Sequence, residues 1–151
     1  MSKEKTPWNP SKKAIARVTN PLPAPTVCIH CDAAVKIATH AEIYRGRNYG
    51  EWPWVFLCTG CGAYVGMHPF TNIPLGTLAT EEIRDARKHC KVPFERLYKS
   101  GAMSRTDAYA ALAAALDIPN GECHFAWFDV DMCKRAERAA LKIAEQFVDA
   151  N

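Results

Sequence analysis

Brief apolar segments give way to long helical stripes at about residue 70 of the 151. Between residues 26 and 68 the apolar side chains gather in short segments of strand character: Val35-Lys36-Ile37, Ala41-Glu42-Ile43-Tyr44, Trp54-Val55-Phe56-Leu57 and Ala63-Tyr64-Val65-Gly66. The turn-forming run Arg45-Gly46-Arg47-Asn48-Tyr49-Gly50 divides them, so a small antiparallel sheet is expected. A sheet of that size has too little core to stand alone.

Beyond a connector containing Pro69, Pro74 and Gly76 the apolar period becomes helical. Thr80 is placed to cap a helix with Glu81 and Glu82 in its first turn and Ile83, Ala86, Cys90, Phe94 and Leu97 as its buried stripe. Pro93 either kinks that helix or opens a second, short one. Gly101 closes the segment, and Ser104-Arg105-Thr106-Asp107 resembles a capping box for the alanine-rich helix that runs to Leu116. Asp129 caps a last helix, from 130 to about 148, with Cys133, Ala136, Ala140, Ile143, Ala144 and Phe147 on its inner face. The fold class predicted is α+β, a small antiparallel ribbon followed by a compact helical half of three to four helices packed on it.

Residues 1–25 follow neither pattern. They hold five of the ten prolines and five basic residues, Lys3, Lys5, Lys12, Lys13 and Arg17, against the single acid Glu4. This predicts a basic, flexible arm, in which Trp8 docks on the body, on a partner or on neither. The rest of the chain has 14 basic and 15 acidic side chains, so the net charge of +3 resides mainly in the arm. The domains expected are therefore 1–25 (arm), 26–72 (ribbon) and 73–151 (helical).

With 48% hydrophobic and 23% charged residues, the composition is that of a soluble globular protein rather than a disordered or fibrous one. No run approaches the roughly 18 apolar residues of a membrane span, and no apolar stretch follows the opening Met1-Ser2-Lys3-Glu4-Lys5. A cytoplasmic location is expected, in which seven cysteines would stay reduced rather than form a disulfide framework.

Four of those cysteines have metal spacing. Cys28-Ile29-His30-Cys31 and Cys58-Thr59-Gly60-Cys61-Gly62 are Cys-x-x-Cys turns separated by 26 residues, able to aim four sulfurs at one point. Glycines in the second turn suit a sharp knuckle whose amides approach the sulfurs. One structural zinc is predicted on Cys28, Cys31, Cys58 and Cys61. A redox pair would need a thioredoxin-like βαβ context, and none is visible. Four thiolates leave no open position for water, so the site reads as a closed staple coupled to folding. His30, His40 and His68 are expected to be exposed or beside the sulfurs rather than on the metal.

Further motifs accompany the two pairs: Gly62-Ala63-Tyr64-Val65-Gly66-Met67-His68, Pro74-Leu75-Gly76-Thr77-Leu78-Ala79, Ala86-Arg87-Lys88, Ser104-Arg105 with Ala108-Tyr109, and Cys123-His124 leading to Phe128-Asp129 and Cys133. Together they resemble an uncharacterised zinc-finger-containing family of bacteriophages, prophages and plasmids, over about residues 26 to 135. The resemblance implies a zinc-binding accessory protein of a mobile element, with the four cysteines as ligands. One position departs from it: after Arg87-Lys88, where a histidine is expected, this chain has Lys91, with His89 two positions earlier.

Cys90, Cys123, His124 and Cys133 lack a standard zinc spacing and read as packed thiols before a second metal site. No phosphate loop, Ser-His-Asp order or His-Glu-x-x-His helix is present, and the chain is not expected to be an enzyme. Binding is the expected role. Arg45, Arg47 and Asn48 beside Tyr49 and Trp52 could clamp phosphates and stack bases, with Lys12, Lys13 and Arg17 of the arm assisting, which points to DNA or RNA. The alternative is a protein-binding adaptor or inhibitor docked on a host or phage complex, since Tyr, Trp and Arg also favour protein interfaces.

Overall fold

In the computed structural model, described here for residues 4–149, the chain divides into two compact units, 1–80 and 81–151. The first is built on a three-stranded antiparallel sheet in the order β1 (Val35–Thr39), β2 (Trp54–Cys58), β3 (Tyr64–Gly66). Val35 pairs with Cys58 at one end of the β1–β2 ladder and Thr39 with Trp54 at the other; Val55 pairs with Gly66 across β2–β3. One face buries Phe56, Cys58, Val65 and Met67 with Cys28, Trp52, Ala63 and Leu78.

Three features of this unit differ from the sequence expectation. The segment Ala41-Glu42-Ile43-Tyr44 is not a strand: His40–Ile43 form a single helical turn, α2. The loop behind it fixes that turn, because Asn48 Oδ1 accepts the Ala41 amide at 2.9 Å and His40 Nδ1 accepts the Tyr49 amide at 3.1 Å. Residues 73–80, assigned by sequence to the helical half, belong to the ribbon unit, where Tyr64 and Ala79 exchange backbone hydrogen bonds and Met67 bridges Pro74.

The expected flexible arm is, over its described residues, a docked segment. Ser11 caps a short helix α1 (Lys12–Ala16) through the Ala14 amide and donates its own amide to Phe70 O at 2.8 Å. Pro7 is buried, and the Trp8 ring meets Trp54 edge-on at 5.3 Å. Proline-rich chain lacks donors for a sheet, but ring contacts and one capped turn suffice to hold it.

The second unit contains α3 (Glu81–Lys99), α4 (Arg105–Leu116) and α5 (Val130–Asp149), with 3₁₀ turns at Asn120–Glu122 and Phe125–Trp127. Pro93 lies inside α3, which continues through it with Cys90, Phe94 and Leu97 buried on either side. Burial of that stripe offsets the missing amide bond. Ser104 Oγ accepts the Asp107 amide at 3.0 Å and Asp129 Oδ1 the Met132 amide at 2.8 Å, so α4 and α5 start where the capping residues lie. Gly101 takes φ +86° after α3, a conformation glycine adopts without cost. Phe94 centres the core, its ring 4.7 Å from Tyr109 and 5.0 Å from Phe125. Cys133, Ala136, Ala140 and Ile143 of α5 are buried there as expected, with Ala144 partly so. Phe147, expected beside them, lies outside the residues whose side chains are described. The α+β class is as read from the sequence. No helix among the described residues is long and apolar enough to cross a membrane.

Candidate metal centre

The two Cys-x-x-Cys turns repeat one local geometry. In the first, the Cys28 amide donates to Ala33 O at 2.9 Å; in the second, the Cys58 amide donates to Ala63 O at 2.8 Å. Each reverses direction through a left-handed residue just after its second cysteine, Asp32 at φ 63° and Gly62 at φ 80°. Aspartate tolerates that conformation better than most side chains, and glycine tolerates it freely.

Amides turn inward onto the sulfurs. His30 donates its backbone N–H to Cys28 Sγ at 3.4 Å, and Gly60 and Cys61 donate theirs to Cys58 Sγ at 3.3 and 3.4 Å. Gly60 is where the knuckles meet: a Cβ there would sit 2.7 Å from the Ala33 Cβ and 3.1 Å from Cys31 Sγ. Only glycine permits that approach.

All four sulfurs lie within 4.8 Å of one another, with Cys28 to Cys61 at 3.7 Å and Cys31 to Cys58 at 3.3 Å. Four Zn–S bonds of about 2.3 Å in a tetrahedron place sulfurs roughly 3.8 Å apart, so the cluster needs sub-ångström adjustment to hold zinc. Burial pushes the Cys58 thiol up, but the amides of Cys61 and Gly60 and the sulfurs of Cys31 and Cys28 outweigh it and hold it at about 6. The Ala63 amide pulls Cys61 down, yet burial and the three other sulfurs raise it to about 11. A bound dication favours the ionised form of each thiol it coordinates. Zinc in such a site contributes roughly 10–16 kcal/mol of apparent binding energy. That exceeds the roughly 3–5 kcal/mol a core of this size supplies, so the metal is structural.

The histidines stay off the metal. His30 Nε2 donates to Leu78 O at 2.9 Å, tying the first knuckle to the segment behind β3, and His40 receives the Tyr49 amide. Burial lowers the pKa of His40. His68 uses its backbone to bind Ile73 and Thr71. Among the described residues, the four ribbon cysteines are the one group of three or more metal-ligating side chains close enough to share an ion. Cys123 and His124 do not join Cys90 and Cys133 in a second such group; the His124 ring stacks near Trp127 at 4.7 Å.

Of the residues read as nucleic-acid contacts, Arg45, Arg47, Asn48 and Tyr49 are exposed on the β1–β2 connection, and Lys12, Lys13 and Arg17 are exposed on and just after α1. Trp52 is a correction. It is buried, its indole N–H donates to Thr71 O at 3.0 Å and its ring packs on Phe70, so it is core rather than a platform for bases. Trp8 takes the exposed place, at 67%. Its only signal in the sequence was a lone aromatic in a basic segment.

Residues 24–143 match the sequence model of a family described as a zinc-finger-containing domain. No curated protein and no solved structure matches the chain.

Proposed function

The chain belongs to the family of zinc-finger-containing domains, and from that premise we propose that it is a non-enzymatic binding protein whose ribbon holds single-stranded nucleic acid at the end remote from the zinc. One observation carries the reading. The β1–β2 connection, entered beside the Thr39–Trp54 pair, exposes Arg45 and Arg47 with the half-exposed rings of Tyr44 and Tyr49, and Trp8 stands on Trp54 at the same end. Four residue steps of about 3.4 Å separate that end from Cys58, so the metal supports the loop from roughly 14 Å away without touching what it binds. Cations for phosphates interleaved with rings for bases are the two components of sequence-tolerant single-strand binding. The cations of α1 lie in the same compact unit and extend the positive charge. A thiolate-saturated zinc offers no site for substrate, which favours binding over catalysis. An accessory role in a phage or another mobile element accords with the motif resemblance.

The test is fluorescence anisotropy with mixed-sequence single-stranded RNA and DNA across a salt series. Binding should weaken with salt, and Arg45→Ala with Arg47→Ala should reduce the log–log slope by about 1.4, at about 0.7 per lost phosphate contact, with zinc content unchanged. No binding at low salt would sink the reading. An unchanged slope would move the contacts to Lys12, Lys13 and Arg17.

A second reading rests on the first knuckle. Leu22, Pro23, Pro25, Val27, Ile29 and Leu78 line an apolar groove of about 270 Å³, and Ile29 is 70% exposed. Such a surface suits a protein partner, which makes the chain an adaptor or inhibitor docked on a host or phage complex. A partner that survives nuclease treatment in a pull-down and is lost on Ile29→Asp would favour this reading over the first.

A further inference from the structure

The ribbon leaves three of the seven cysteines unused, and two of them are arranged for chemistry. Cys90 of α3 and Cys133 of α5 are both almost fully buried in the helical core, at 2% and 1% exposure. They belong to one buried cluster, on helices α3 and α5 that pack against each other. Both line one cleft of about 390 Å³, which His89, Glu137, Asp85 and Lys134 also border. His89 and Glu137 approach to 3.6 Å beside it.

The two thiols are not equivalent. Cys133 sits in the first turn of α5, with its amide bonded to Asp129 O, where the helix dipole favours a thiolate. Arg87, half-buried, donates its Nε–H to Phe128 O at 2.9 Å, and its positive charge acts on both thiols. Cys90 can donate its S–H to Arg87 O, at 3.4 Å. The neighbouring Cys90 thiol and the Arg87 charge lower the pKa of Cys133, whereas Cys133 and burial raise that of Cys90. Cys123, by contrast, has only burial acting on it, which pushes it up to about 11.

We propose that Cys133 and Cys90 form a redox-active dithiol, with Cys133 the nucleophile toward hydrogen peroxide and Cys90 the resolving thiol, giving a disulfide that ties α3 to α5. In the first step the Cys133 thiolate attacks one peroxide oxygen and the O–O bond breaks. The departing hydroxide takes a proton and leaves as water, and Cys133 becomes a sulfenic acid. In the second step Cys90 attacks the Cys133 sulfur, the S–O bond breaks, and the Cys90 proton leaves with the hydroxide as a second water. Two thiols and one peroxide become one disulfide and two waters, with sulfur oxidised and peroxide oxygen reduced. Arg87 offsets the thiolate charge before attack.

The experiment uses the full, zinc-loaded chain with stoichiometric hydrogen peroxide, a quench with N-ethylmaleimide and non-reducing peptide mapping, while a zinc-sensitive dye follows metal release. The expected result is a peptide joined through Cys90 and Cys133, with loss of those two free thiols, before zinc appears in solution. Dithiothreitol should restore both thiols. Cys90→Ser should leave a sulfenic acid on Cys133 that dimedone traps, and Cys123→Ser should leave the cross-link intact. If Cys90 and Cys133 both remain free while the ribbon cysteines oxidise and release zinc, the proposal is overturned. A cross-link to Cys123 instead would overturn it equally, and both readouts on the unmutated chain stand whether or not a variant folds.

Discussion

Replacing Gly60 by alanine probes how closely the two metal knuckles are fitted. The new Cβ would lie 2.7 Å from the Ala33 Cβ, 3.1 Å from Cys31 Sγ and 3.7 Å from Cys58 Sγ. Carbon atoms settle at about 3.5–4.0 Å, so the two chains must part by roughly 1 Å. Neither Cβ can rotate aside, and Ala33 is further held by its carbonyl, which accepts the Cys28 amide. Gly60 has no positive φ, so the cost is steric rather than conformational. Overpacking of this kind costs about 1–3 kcal/mol. Because the displaced segments carry the ligands, the strain falls on the metal-bound state and should weaken zinc affinity roughly 5- to 150-fold. Competition with a chromophoric chelator measures it directly. Adding Ala33→Gly removes the nearest obstructing atom and should recover much of the loss. Wild-type affinity in the single variant, or no recovery in the double, would refute the steric account.

Two further predictions concern stability. The Cys58 thiol is held below its ordinary value, so its contribution is complete above the usual thiol pKa of 9.0 and is lost as pH falls through about 6. Because protons compete with zinc for the thiolates, zinc should be released as the pH is lowered, as a dye titration would show; zinc retention independent of pH would contradict the assignment. Phe94→Ala should destabilise the helical unit by about 3–5 kcal/mol, because the ring is 1% exposed and packs on Tyr98, Tyr109 and Phe125. Urea unfolding followed by circular dichroism checks it, and a loss under 1 kcal/mol would count against Phe94 as the centre of that core.

What the sequence disclosed was local. Ser104, Gly101 and Asp129 mark helix ends through hydrogen bonds within three residues, and the Cys-x-x-Cys turns carry their own geometry. What it hid depends on distant partners. The α2 turn reads as strand because Ile43 and Tyr44 favour one, and its helical state is secured by groups of residues 48 and 49. Trp52 looked like a loop aromatic until Thr71 and Phe70 closed over it. The arm looked free because its contacts, Trp8 on Trp54 and Ser11 on Phe70, lie 46 and 59 positions away. Cys90 and Cys133 each fell on a correctly read inner stripe, yet their meeting depends on how α3 and α5 are aligned, which periodicity does not encode.

The ladder between β1 and β2 has an implication for how the ribbon assembles. Zipping from the Thr39–Trp54 pair toward Val35–Cys58 delivers the second knuckle to the first only in this register. A slip of one residue would turn Cys58 to the opposite face and scatter the sulfurs. Metal capture therefore acts as a proofreading step: a misaligned hairpin has no cage to offer, and zinc withdraws from the folding mixture only those chains whose strands are already correctly matched.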